Sequence, residues 1–96
     1  MLTVLAGDTV EVSYSEGIFT PCAASEDSFR IRTLNYFECQ KVLATSSDEE
    51  KVRTCIELGL VAIGGDEAKA KEFVKSPRAR FVNPLFAAIW ELAWGN

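Results

Sequence analysis

The chain has 96 residues, 48% apolar and 10% aromatic, with a formal net charge of −4 and a sequence pI of about 4.8. That length suits one domain and excludes a deep cleft walled by two subdomains. The apolar and aromatic content excludes a disordered chain, and the acidity argues against general binding to phosphate backbones.

Leu2 to Ala6 is a short apolar run, followed by Gly7-Asp8, which suits a type II′ turn. Thr9 to Ser15 then alternates, with Val10, Val12 and Tyr14 on one face and Glu11, Ser13 and Ser15 on the other. Residues 2–15 are therefore expected to form a β-hairpin. Such a hairpin is marginal alone and must pack on the rest of the chain or gain a partner strand. The segment 16–28 holds Gly17, Pro21 and a Ser/Asp/Glu cluster and reads as loop. Phe29-Arg30-Ile31-Arg32 alternates again and is compatible with a third short strand.

The remainder, residues 33–96, reads as three or four short helices. Asn35 and Glu38 have capping-box spacing, so a helix is expected over 36–44 with Phe37, Val42, Leu43 and Cys39 inward. Ser47 and Glu50 repeat that spacing, and Asp48, Glu49 and Glu50 suit the positive end of a helix dipole. Val52, Cys55, Ile56 and Gly59 follow at helical intervals, and Leu60 and Ile63 extend the stripe to a stop at Gly64-Gly65. Asp66 opens a third helix over about 67–75, anchored by Phe73 and Val74 and ended by Ser76-Pro77. Asn83 as N-cap and Pro84 as first helical residue predict a last helix from Leu85 to Trp94. The fold class is thus α+β, predominantly helical, in one domain, with a hairpin and loop region at 1–32.

The last helix carries the functional signal. Leu85, Ala88, Ile89 and Leu92 form one apolar stripe, and Phe86, Trp90 and Trp94 form a second at i, i+4, i+8. Glu91 is its only charge. A surface helix of a monomer keeps a polar face, so this one is either central to the core or covered by a partner. The small size of the domain and the tryptophans favour the partner. The expected partner-binding or self-association surface is therefore Phe86, Trp90 and Trp94, with Leu85 and Ile89 beside them, and the chain is expected to be a homo-oligomer.

Catalytic chemistry has little to work with. The chain has no histidine, which removes the commonest general base and transition-metal ligand. Cys22, Cys39 and Cys55 are odd in number and lack C-x-x-C spacing, so neither a disulfide framework nor a zinc site is expected. They suit a reducing compartment. Gly64-Gly65 precedes two acids rather than Lys-Ser/Thr, unlike a phosphate loop. Lys69, Lys71, Lys75, Arg78 and Arg80 form a local basic run that reads as solvated surface. No signal-peptide pattern or membrane-length apolar run is present, so a cytoplasmic, non-enzymatic protein without cofactor or metal is expected.

Phe29-Arg30-Ile31-Arg32-Thr33-Leu34 leading into a helix with Glu38, the Gly59-Leu60-Val61-Ala62-Ile63 segment, and a final helix ending in Trp94-Gly95-Asn96 resemble the bacteriophage tail assembly chaperones. The resemblance covers mainly residues 29–96 and is least at the hairpin. It implies a small acidic helical protein of the host cytoplasm that binds a phage tail protein, the tape measure protein, and shields its apolar helices. Two alternatives stay open. One is a structural virion joining or completion subunit that pairs by strand addition. The other is an acidic inhibitor mimicking nucleic acid, with Glu26, Asp27, Asp48, Glu49 and Glu50 as its face. None of the three contacts nucleic acid or membrane directly.

Overall fold

A computed structural model describes residues 8–94. The elements in chain order are β1 (Thr9–Ser15), β2 (Ile18–Pro21), β3 (Phe29–Arg32), α1 (Tyr36–Leu43), α2 (Asp48–Gly59), β4 (Leu60–Ile63), α3 (Glu67–Lys75) and α4 (Ala79–Trp94). The strands form one antiparallel sheet in the order β2-β1-β3-β4. The class is α+β as expected, but the sheet also takes a strand from the helical half of the chain.

The alternation of Thr9–Ser15 produces β1, with Val12 buried and Thr9 and Ser15 exposed. It forms a hairpin with a strand that the loop reading of 16–28 did not anticipate. Ser15 pairs with Ile18 across Glu16-Gly17, inside the segment read as loop. Both turn residues have positive φ, 52° and 87°, the backbone that a two-residue hairpin needs to match strand twist. The four-residue β2 ends in Pro21 and is too short to show an alternation. The expected arm Leu2–Ala6 and its turn residue Gly7 lie outside the described residues.

β3 pairs with the other side of β1, placing Ile31 opposite Val10 and Phe29 opposite Val12. The same register sets Glu11 opposite Arg30 on the polar face. Antiparallel sheets with one covered face show this division of side chains.

β4 corrects the expected length of the second long helix. The helix stripe does not continue through Leu60 and Ile63; α2 ends at Gly59 and the backbone turns extended at Leu60. Leu-Val-Ala-Ile favours a pleated surface, and β3 offers an open edge for it. Ile31 pairs with Leu60 and Arg30 with Ala62, so Val61 is an extra residue that bulges the ladder. Gly64-Gly65 accordingly closes a strand turn rather than a helix. Their φ values are +60° and +80°, and Ile63 and Asp66 exchange both backbone hydrogen bonds around them. A Cβ on Gly64 would stand 2.4 Å from the Glu26 carbonyl oxygen, so only glycine fits there.

The caps behave as their sequences imply. Asn35 and Glu38 form a reciprocal capping box on α1, the Ser47 hydroxyl accepts from the Glu50 N–H, and the Asp66 carboxylate accepts from the Ala68 N–H. The last helix is the exception: it begins at Ala79, with Pro84 inside it rather than at its first turn. Pro84 has no N–H to give to the Arg80 carbonyl, so its presence there costs helix stability that packing must offset. An aromatic cluster supplies that packing. Phe81 of α4 lies edge-on to Tyr14 at 4.9 Å and 5.6 Å from Phe29, while Arg80 stacks over Tyr14.

The helices cover the apolar face of the sheet, and Ile31, Val42, Cys55, Leu85 and Ile89 form the fully buried centre. Helices α2 and α4 run side by side in the same direction. Val52 and Ile56 share a groove with Val82 near their starts, and Gly59 meets Ile89 further along.

Candidate protein-binding surface

Among the residues expected to bind a partner, α4 divides sharply. Leu85 and Ile89 are fully buried at the centre of the core, so neither offers surface to another molecule. Phe86 and Trp90 are half-buried and pack against that core. Trp94 is 51% exposed. The three aromatics form a continuous ladder: Phe86 stacks on Trp90 at 5.8 Å with 17° between planes, and Trp90 meets Trp94 at 5.8 Å. The ladder starts in the core and emerges at the end of the helix. The exposed strip beside it holds Asn83, Ala87 and Glu91.

The most exposed apolar residues lie elsewhere. On α1, Phe37 is 80% exposed, Tyr36 62% and Leu43 48%. Phe37 and Leu43 were expected inward, and the structure reverses both. Only Cys39 and Val42 of α1 are buried, packed toward α2. Phe37 stands two residues before Cys39, about 200° around the helix, so it cannot share that inner face. The sequence carried a signal for this. Five of the eight residues of α1 are apolar, and an inner face of so short a helix holds only two or three. The outer face holds Lys41 as its only basic residue and also exposes Gln40 and Ala44.

Among the described residues, three grooves border the helices; the largest, of about 600 Å³, lies between α2, β4 and α3, and two smaller ones flank α4. One of about 370 Å³ lies between α2, the end of α3 and the start of α4, with Val52, Ile56, Val74 and Val82 as its apolar lining and Asp48 and Glu49 on its rim. The other, of about 290 Å³, runs between the sheet and the second half of α4 and is lined by Val10, Val12, Phe19, Ala88 and Leu92.

Two ion pairs brace the strands and the start of α1. Arg30 and the Ser28 hydroxyl both donate to Glu11, and the Arg30 contact is the larger reason its carboxyl lies below the ordinary range. Arg32 donates to both oxygens of Glu38 and lowers its pKa, while the Arg32 pKa rises through the same pair. Burial pushes the Cys55 thiol up to about 12 and raises that of Cys39. Among the described residues, no three His, Cys, Asp or Glu side chains converge where they could hold a metal ion, and no helix is long and apolar enough to cross a membrane. The five acids of a nucleic-acid mimic fall on two elements, the loop before β3 and the first turn of α2. Exposed apolar side chains are thus the surface chemistry that most departs from an ordinary small domain. Comparison with protein-family models, curated proteins and solved structures finds no match for the chain.

Proposed function

We propose that this protein is a non-enzymatic assembly factor that binds apolar segments of other proteins through the surface end of α4. The observation that carries this reading is the half-exposed Trp94 at the end of a stacked ladder rooted in the core. A tryptophan fixed by a rigid neighbour loses little side-chain entropy on binding, and this residue type dominates interface energetics. The order of elements from Phe29 onward, resembling the phage tail assembly chaperones, supports the finer reading: a cytoplasmic chaperone that covers apolar helices of a tape measure protein until tail assembly proceeds. Self-association through the same ladder would protect Trp94 when no client is present.

The test is aggregation of an apolar helical tape measure segment, followed by light scattering with and without equimolar protein. The wild type suppresses the scattering. Trp94→Glu, which changes only a surface residue, retains its helical circular dichroism and loses the suppression. Equal suppression by the two proteins refutes the role of the ladder. Failure of the wild type to suppress refutes the chaperone reading.

One observation favours a second reading, a structural subunit of an assembled particle. Strand β2 is an edge of the sheet, and its Ile18 is 59% exposed. An open edge can take a strand from a neighbour, although the short length and Pro21 limit the pairing. Stoichiometric recovery of this protein in purified particles distinguishes that role from a chaperone that leaves.

A further inference from the structure

Helix α1 is held to the molecule by few contacts. Its eight residues make about two turns, a length that is marginal for a helix without tertiary support. That support comes chiefly from α2, toward which Cys39 and Val42 pack. The other three apolar side chains, Tyr36, Phe37 and Leu43, are exposed and add little to the anchoring. Among the described residues, one hydrogen-bonded pair joins a side chain of α1 to another element. Glu38 accepts from Arg32 of β3 through both carboxylate oxygens, and its Oε1 also accepts from the Asn35 N–H at 3.0 Å.

We propose that α1 is a hinged flap that swings off α2 as a unit while the sheet and the other helices stay folded, with the Arg32–Glu38 pair as its latch. The flanking segments suit that motion. On the β3 side, the Thr33 N–H donates to the Asp8 carbonyl and Leu34 is buried, which puts the hinge at Asn35. On the α2 side, residues 44–47 form the connection. The Ala44 N–H donates to the Gln40 carbonyl and the Thr45 hydroxyl to the Val42 carbonyl, so these bonds travel with the helix. The body left behind keeps its own core. Ile31, Leu85 and Ile89 are fully buried, and α2 stays packed on α4 through Gly59 and Ile89.

Opening gives up the burial of one valine and one cysteine and one partly exposed ion pair. That is far less than the whole core, and segments with few buried contacts open at a lower cost than global unfolding. The open flap presents apolar side chains on both faces, Cys39 and Val42 as well as Tyr36, Phe37 and Leu43. The latch is separable from the helix cap. Glutamine at position 38 still reaches back to the Asn35 N–H as a capping-box residue, but it no longer carries the charge that holds Arg32. This motion is independent of the Trp94 ladder.

The test is native-state amide exchange and thiol labelling of the full chain in urea concentrations below the unfolding transition. The amides of Gln40 and Val42 are expected to exchange at a rate that hardly changes with urea, because opening the flap exposes little surface. Those of Ile31 and Ile89 follow the steep urea dependence of global unfolding. Labelling of Cys39 by a disulfide reagent at pH 8 is slow and shares the weak dependence of the α1 amides. Glu38→Gln speeds that labelling by about tenfold and leaves the rate at Cys22 unchanged. A urea dependence at Gln40, Val42 and Cys39 as steep as that of Ile31 and Ile89 overturns the flap. Equal Cys39 rates in Glu38→Gln and the wild type overturn the latch. Should Glu38→Gln fail to fold, the wild-type exchange and labelling decide the proposal by themselves.

Discussion

Gly59→Ala isolates the packing of α2 on α4. Gly59 is the last residue of α2 and is buried. A Cβ built there would stand 2.5 Å from Cγ2, 2.8 Å from Cδ1 and 3.1 Å from Cγ1 of Ile89. Carbon atoms pack best at about 3.5–4.0 Å, so the isoleucine must move by around 1 Å. It has little freedom to do so, because it is fully buried and its β-branch holds one rotamer in a helix. Overpacking of this kind costs about 1–3 kcal/mol. Removing a helical glycine returns up to ~1 kcal/mol, less so at a helix end. The expected net loss is about 1–2 kcal/mol. With a urea slope near ~1 kcal/mol/M for a domain of this size, the unfolding midpoint falls by roughly 1–2 M. Fluorescence of Trp90 and Trp94, together with far-ultraviolet circular dichroism at low protein concentration, reads that midpoint. The decisive comparison is the same substitution in an Ile89→Ala background. There the added methyl group meets open space, and the effect reverses to a stabilisation of up to ~1 kcal/mol. An equal cost in both backgrounds would falsify the packing argument.

The two ion pairs made by β3, Arg30 with Glu11 of β1 and Arg32 with Glu38 of α1, make the fold acid-sensitive. Glu11 and Glu38 both have folded pKa values below the ordinary 4.5. The unfolded chain therefore takes up protons first as pH falls. Their stabilisation is complete above the ordinary carboxylate range and is lost as pH drops through the folded values. Glu11→Gln is expected to lower stability at pH 7 by about 1 kcal/mol and to flatten the loss between pH 5 and 3, measured by urea unfolding at each pH. An unchanged acid slope would exclude Glu11 as a contributor. Thiol labelling with a disulfide reagent at pH 8 should modify one cysteine quickly in the native protein, the half-buried Cys22, and all three in denaturant. Burial keeps Cys39 and Cys55 protonated, and the thiolate is the reacting form. Two fast thiols in the native state would contradict the buried placement of α1 on α2.

The local elements were legible where one short stretch of chain carries its own cause. The alternation of β1, the capping box of Asn35 and Glu38, and the caps at Ser47 and Asp66 all rest on neighbours within one or two turns. The errors arose where two local readings compete. Leu60 to Ile63 fits both a continuing helix stripe and a strand, and only the free edge of β3 decides for the strand. Asn83-Pro84 has the form of a helix start, yet the contacts of Phe81 with Tyr14 and Phe29 hold the preceding turn helical as well.

The candidate site divides in the same way. The aromatic spacing of Phe86, Trp90 and Trp94 was determined by sequence alone, because residues four apart share a helix face wherever the helix lies. How much of that face meets solvent was decided by tertiary packing, which buries part of Phe86 and Trp90 and leaves Trp94 exposed. On α1 the sequence supplied five apolar residues but no rule for which of them faces inward. Contact with α2 chose Cys39 and Val42, and that choice turned Phe37 outward. Periodicity describes positions relative to a helix axis. The rotation of that axis against the core depends on residues distant in the chain, so the exposed surface follows from the fold as a whole.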